Sequence, residues 1–430
     1  MFAAGVTRSR LAASACRKAA APAAAASAAS PRVGATRTQF VGSTNLPYRR
    51  DDEQGPGGRA SNAGVKVAVF GAGGFLGRYV CCDLGTNGVL GYIGQRGDEF
   101  ELRHLRPMFD LGRSRFVFYS PRDRDSMAEV IADADVVVNL IGKYYETKAL
   151  ANQDKFPFLE YKTNYTFQEC NVDIPRTVAE LCTEMQVDNL IHVSSLAASP
   201  DSQSEWARTK YAGEQAVREA YPWATIVRPA QLFGPEDRLL NWFANVAGRF
   251  PVAPLVDGGH ALTQPVYMAD VAHTIAKIVD EPEKYEGKTI DCFGPQDFTY
   301  KELAEFVYDI TGQEPVVADV PKSAAVASAK VLQYQGAPSF TPDLMQLWSE
   351  DYVPPMTQEE YDAQSGGDKI LTMKDFGIEA TPMEKIAFNY LHRFRSGGHF
   401  QLVEGYQGNL STQAGHSGKM FADDAGSGRL

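Results

Sequence analysis

The residues best suited by type and spacing to do chemistry lie in Gly71-Ala-Gly73-Gly74-Phe75-Leu76-Gly77-Arg78, directly after the apolar run Val65–Phe70. Gly71 permits a tight turn, Gly74 lets the backbone approach a diphosphate, and Gly77 lets a following helix pack on the preceding strand. The N-terminus of that helix offers unpaired N–H groups to the anion. A glycine pattern alone is a weak signal, and the strand–loop–helix context gives it meaning. The segment therefore predicts dinucleotide binding, with Gly73, Phe75, Leu76 and Arg78 in the same site.

The end of the second strand selects between dinucleotides. Free ribose hydroxyls call for an Asp or Glu there, and this chain offers Gly94-Gln95-Arg96. A guanidinium matches a phosphate bidentately and has no acceptor for a bare hydroxyl. NADPH is the expected cofactor, with Arg96 at its 2′-phosphate and Arg78 near by.

These residues need a scaffold, and the pattern of apolar runs predicts one. Strands are expected at Val65–Phe70, Gly91–Gly94, Arg115–Tyr119, Asp135–Ile141, Asn189–Val193 and Ala224–Val227. Helices are expected at Phe75–Gly85, Ser126–Ala132, Thr163–Met185 and Glu205–Glu219. Such alternation implies an α/β fold, a Rossmann-type doubly wound parallel sheet. After about residue 230 the alternation breaks up, and helices recur near Met268–Asp280 and Lys301–Thr311. Ser323–Lys330 is helix-prone, and residues 335–370 read as irregular and polar. Met383–Phe394 reads as a basic amphipathic helix that either covers its own core or docks on a partner or membrane surface.

The ends differ from the middle. The first fifty residues hold eight Arg or Lys and no Asp or Glu, with Ala and Ser filling most of the rest. That composition predicts an organelle transit peptide, mitochondrial rather than chloroplast. Subtracting those eight charges from the net −11 leaves −19 for residues 51–430. So acidic a body repels phosphate backbones and argues against nucleic-acid binding. No apolar run approaches the length of a membrane span. The six cysteines show no metal-ligand spacing and read as reduced, packed thiols. His192 reads as a satisfied structural histidine. The expected organisation is a transit peptide at 1–40, a linker at 41–63 and a nucleotide-binding domain at 64–250. A smaller lobe partly interleaved with that domain follows at 251–397, then a disordered tail at 398–430.

The glycine spacing, Asn139-Leu140-Ile141-Gly142 and Val193-Ser194-Ser195 resemble the extended and atypical short-chain dehydrogenase/reductase superfamily. Longer stretches are similar to the 39 kDa accessory subunits of mitochondrial respiratory complex I: Gly74–Val80, Leu105–Gly112, Asn139–Lys148, Phe233–Asn241 and Gln264–Tyr267. The similarity runs from about Val65 to about Arg395. It implies a nucleotide-binding, non-catalytic subunit on the matrix side of the inner membrane, in the peripheral arm near the membrane interface. Its partners would be other subunits of that complex, with any membrane contact indirect or through the C-terminal helix.

The superfamily's catalytic positions test that implication. Its reductases carry a Tyr four residues before a Lys on one helix, with a Ser near by, and the Lys lowers the Tyr pKa. Here the sequence is Trp206-Ala-Arg-Thr-Lys210, so an indole stands where the acid belongs. General acid catalysis is worth about 10²–10⁴-fold, and an indole N–H has no usable acidity near neutral pH. Tyr211 follows the Lys by one and faces elsewhere on the helix. Ser195, Trp206 and Lys210 are thus read as vestiges of a catalytic set. The resemblance implies that Lys210 holds the nicotinamide ribose and that Ser195 neighbours the ring. It also implies a cleft lined by Leu140, Ile141, Gly142, Val193, Ser194, Pro229, Leu232 and Phe233. Where many relatives carry an Asp toward adenine, Ser120 stands here and offers one hydrogen bond. A bound but unreactive NADPH is the expected state, with two alternatives: an active organellar NADPH-dependent reductase or epimerase, and a chloroplast assembly factor of the same group.

Overall fold

The computed structural model describes residues 63–150, 161–249, 252–313, 316–333, 338, 340–356, 358–364 and 369–395. The expected leader, the linker apart from Ala63, and the tail lie outside the described residues.

Eight strands form one parallel sheet: β1 (Lys66–Phe70), β2 (Leu90–Gln95), β3 (Ser114–Phe118), β4 (Val136–Asn139), β5 (Asn189–Val193), β6 (Thr225–Pro229), β7 (Thr289–Cys292) and β8 (Leu371–Thr372). Their spatial order is β8-β7-β6-β5-β4-β1-β2-β3. The inner strands are nearly continuous apolar runs because helices cover both faces. On one face Val67, Val69, Ile93 and Val138 pack under Leu76, Val80 and Leu84 of α1 (Phe75–Thr86) and under Val271 and Ile275 of α6 (Met268–Asp280). On the other, Ala68, Phe70, Val137 and Leu190 pack under α2 (Arg124–Ile131), α3 (Ile174–Glu184) and α4 (Glu205–Ala220). The order reverses beside β1, whose neighbours are β2 and β4. That reversal opens a crevice at the carboxyl ends of the strands, where α/β sheets take ligands.

A second core gathers α5 (Leu240–Arg249), α7 (Tyr300–Thr311), α8 (Lys322–Leu332), α9 (Pro342–Leu347) and α11 (Met383–Leu391), with Phe243, Leu303, Val307, Met345 and Trp348 inside. Met383, Ala387, Tyr390 and Leu391 of α11 are buried in it. The alternative of a docking helix is therefore corrected: the apolar face is spent on the chain's own core. The helix also stops at Leu391, and a short 3-10 turn carries on to Phe394.

Two other expectations change. The helix expected from Thr163 begins at Phe167, because Tyr161–Asn164 pairs as a strand with Thr147–Leu150 and Tyr165 turns at φ 59°. Thr166 and Glu169 then cap the helix reciprocally, each side chain accepting from the other's backbone N–H at 3.2 Å. A π-turn at Glu169–Asp173 precedes Pro175, which has no N–H for regular pairing. Within the stretch read as irregular, α9 forms behind a Thr341 cap with Pro342 in its first turn, and α10 forms at Gln358–Ala363. Elements of six residues are too short to show a period. Among the described residues, no helix is long and apolar enough to cross a membrane, and Cys81, Cys170, Cys182 and Cys292 are free thiols.

Candidate functional site

The Gly-rich turn is dictated by backbone sterics. Gly71 sits at φ 79°, and a Cβ there would lie 2.9 Å from the Leu140 carbonyl carbon. A Cβ on Gly77 would lie 2.6 Å from the Gly71 oxygen. Gly74 N–H donates back to Gly71 O at 3.0 Å and starts α1. Among the described residues no side chain caps α1, and its first turn carries no acid. Gly73 and Gly74 are exposed, Phe75 and Arg78 half-buried, and Leu76 and Gly77 buried. The result is a helix N-terminus whose donors no described side chain takes, at the carboxyl end of β1.

Arg78 lies 4.0 Å from Glu236, and its buried Nε has no partner. Tyr79 donates to the same carboxylate at 2.8 Å. Glu236 sits just beyond Leu232 and Phe233. That loop is anchored by Asp237, which accepts from Gly234 N–H, Asn241 N–H and Tyr390 Oη. Burial raises the Asp237 carboxyl to about 6.

At the end of β2, Gln95 is buried and both its amide atoms lack partners. Arg96 beyond it is exposed, with its guanidinium 5.5 Å from the centre of the Tyr165 ring. Arg122 lies 4.3 Å from the centre of the same ring and grips Glu169 at 3.1 and 3.3 Å. Two guanidiniums therefore flank this end, Arg96, which the sequence singled out together with Arg78, and Arg122, which it did not. Ser120 is exposed, and its N–H is taken by Ser126 Oγ at 3.1 Å. Leu140 and Ile141 are half-buried and Gly142 is exposed, all three following β4 beside Gly71.

The other end of the crevice is crowded. Trp206 is buried, donates its indole N–H to Lys143 O at 2.7 Å, and stacks on Tyr144 with ring centres 5.4 Å apart. It packs with Phe167, Ala207 and Leu347. Lys210 lies one turn away, buried, with Nζ 3.4 Å from Val193 O. Burial depresses its ammonium to about 8, against the pull of Glu214. Glu214 is itself bonded by Arg228 at 2.5 Å. Ser194 Oγ is buried without a partner. Ser195 Oγ meets the hydroxyl of Tyr352, and that phenol also donates to Pro229 O at 3.3 Å. Val193 ends β5 and Pro229 ends β6, so these predicted residues do converge, although the acid's position has become part of a packed cluster.

Comparison with known proteins accounts for this mixture. Residues 67–292 match the model of the NAD dependent epimerase/dehydratase family. The mitochondrial NADH dehydrogenase (ubiquinone) 1 alpha subcomplex subunit 9 of Mus musculus is 34% identical over 85% of this chain and 90% of its own length. The Arabidopsis thaliana protein of that name is 35% identical, over 80% and 82% respectively. The chain belongs to that subunit 9 family. Among solved structures, dTDP-glucose 4,6-dehydratase of Bacillus anthracis in complex with NAD superposes with a TM-score of 0.52 at 15% identity, covering 77% of this chain and 96% of that one. This likeness speaks for the fold alone.

Within this subunit 9 family member, several site neighbours escaped sequence reasoning. Tyr352 carries no motif and lies 157 residues from Ser195. Arg122 and Tyr165 likewise meet only through the fold. Gln95 was visible at the strand end, but nothing in sequence marked its amide as unpartnered. His192 departs from expectation too. Its Nδ1 is 3.4 Å from Asn139 Nδ2, whereas the buried Nε2 has no partner. Burial and the Lys210 charge push it down to about 3, so it stays neutral.

Proposed function

We propose that this chain is a non-catalytic accessory subunit of mitochondrial respiratory complex I that holds NADPH as a structural ligand without turning it over. It would sit on the matrix side of the inner membrane, against other subunits of the peripheral arm. One observation carries the reading: the turn keeps Gly71 and Gly77, where a Cβ would collide with backbone, while the acid's position holds an indole committed to Lys143 O. The kinship with named complex I subunits over four-fifths of the chain supports the partner assignment.

The residues present fit a dinucleotide. Gly71–Gly77 and the start of α1 would hold the diphosphate. Arg96 and Arg78 would take the 2′-phosphate, and Ser194 and Lys210 the nicotinamide ribose. Gln95, Ser194 and Arg78 Nε are buried polar groups along this crevice that want a partner, and an unpaired buried donor costs roughly 1–3 kcal/mol. Bound NADPH supplies a transferable hydride, but neither described residue of the catalytic helix pair serves as its acid: Trp206 has no usable proton and Lys210 is turned to Val193 O. A ligand that binds only the native state adds RT ln(1 + [L]/Kd) to stability. Its role is thereby structural, supporting assembly and stability of the complex.

The test is native purification from solubilised mitochondrial membranes with nucleotide analysis. Co-migration with an NADH-oxidising complex, carrying about one unreacted NADPH per chain as a tight one-site ligand implies, is the expected result. A free protein that consumes NADPH with added carbonyl compounds would overturn the proposal.

A further inference from the structure

Tyr352 arrives on the crevice from outside the nucleotide-binding half. Its N–H donates to Leu262 O at 2.7 Å, the neighbouring Asp351 carboxylate accepts Leu262 N–H at 2.9 Å, and Tyr352 forms a parallel bridge with Thr263. These bonds pin the phenol over the carboxyl ends of β5 and β6. Ala197 N–H donates to Ser195 Oγ and Tyr352 Oη donates its one hydrogen to Pro229 O, which leaves Ser195 as the donor in the bond between the two hydroxyls. Neither hydroxyl keeps a hydrogen for a substrate. Ser195 is 2% exposed and Tyr352 3%. A second layer lies near by, where Tyr144 stacks on Trp206 and Arg238 lies over the rings of Tyr144 and Tyr145.

A dinucleotide with its diphosphate on Gly71–Gly77 extends across the switch point toward β4 and β5, which brings its nicotinamide to Ser195. We propose that Tyr352 is a plug: its ring occupies the space a hydride acceptor would need, so the chain excludes substrate as well as lacking an acid. This rests on the dinucleotide reading above. Tyr352 is no substitute for the missing catalytic tyrosine, because its phenol is buried, no cation among the described residues acts on it, and Lys210 is bonded to Val193 O.

The test uses the full-length chain with the NADPH it retains, and acrylamide quenching of the dihydronicotinamide fluorescence. Wild type and Tyr352→Phe, which keeps the ring, are expected to be shielded. Tyr352→Gly is expected to raise quenching several-fold, and p-cresol to reverse that rise by refilling the cavity, as apolar cavities accept matching small molecules. A Tyr352→Gly protein with bound NADPH quenched no more than wild type overturns the plug. Should Tyr352→Gly fail to fold, Tyr352→Leu opens part of the space, and the same comparison decides. Wild type without NADPH would fell the dinucleotide reading instead. The plug is then judged by thermal shift: p-cresol must raise the Tm of Tyr352→Gly and leave wild type unmoved, and no such difference overturns it.

Discussion

The two ends of this crevice have met opposite fates. At Gly71–Arg78 the turn is fixed by backbone, since at Gly71 and Gly77 the space a side chain would need is taken by carbonyl and Cα atoms. At Ser195–Lys210 the same crevice is crowded by Trp206, stacked on Tyr144 and bonded to Lys143 O, and by Tyr352, bonded to Ser195 Oγ and Pro229 O. The difference teaches that a binding site and a reaction site inside one cleft are separable. The first rests on main-chain geometry that tolerates no substitution, whereas the second rests on side chains that packing can absorb.

The sharpest way to break this contrast is at Gly77. In Gly77→Val the new Cβ would meet Gly71 O and Ala72 Cα at 2.6 and 2.7 Å, atoms that cannot swing aside. Overpacking of this kind costs about 3 kcal/mol, and all retained NADPH should be lost. Denaturant midpoint and nucleotide analysis check it, and a variant that keeps its nucleotide would dissolve the distinction between the two ends.

Next in size is the titration of Lys210. Its folded pKa of about 8 lies below the ordinary 10.5, so between those values the unfolded chain binds more protons and stability rises with pH. Below about 8 the full cost of burying the ammonium is present, roughly 3 kcal/mol for such a shift. Lys210→Met should be the more stable protein at pH 7 and should flatten the rise between pH 8 and 10. Urea midpoints at several pH values read this, and parallel curves for the two proteins would refute it.

At the adenosine end, Arg96→Ala should reduce the preference for NADPH over NADH by about tenfold, the loss of one charge-assisted pair. Competition calorimetry measures it. Arg122, against the same tyrosine ring, should keep part of the preference, so complete loss would show that Arg96 acts alone.

The smallest effect is expected at Trp206→Tyr. It gives up the indole bond to Lys143 O and part of the stack on Tyr144, about 1 kcal/mol. Steady-state assays with carbonyl compounds should detect no turnover. Reductase activity appearing in this variant would show that the filled end is still a reaction site.

Much of the fold could be read directly. The runs at Lys66–Phe70, Val136–Asn139 and Asn189–Val193 are apolar enough to be buried on both faces, and the glycines after the first of them mark a turn where a Cβ is forbidden. Trp206 was visible as the wrong residue for an acid. Elsewhere the local signal misled. The periodic stretch from Thr163 hid a strand, because its pairing with Thr147–Leu150 is an interaction between distant segments. Met383–Phe394 suited its own core, a partner or a membrane surface, since amphipathicity states that one face wants burial and not against what.

The sequence by itself determined the first six strands of the sheet, the glycine turn and the loss of the acid, because these follow from local sterics and from the chemistry of single side chains. Only the tertiary structure decided that the reacting end is closed. Tyr352 reaches Ser195 across 157 residues, and α11 spends its apolar face on Phe243, Leu303 and their neighbours. Such contacts depend on which surfaces the whole chain leaves over for burial, and no local pattern encodes that.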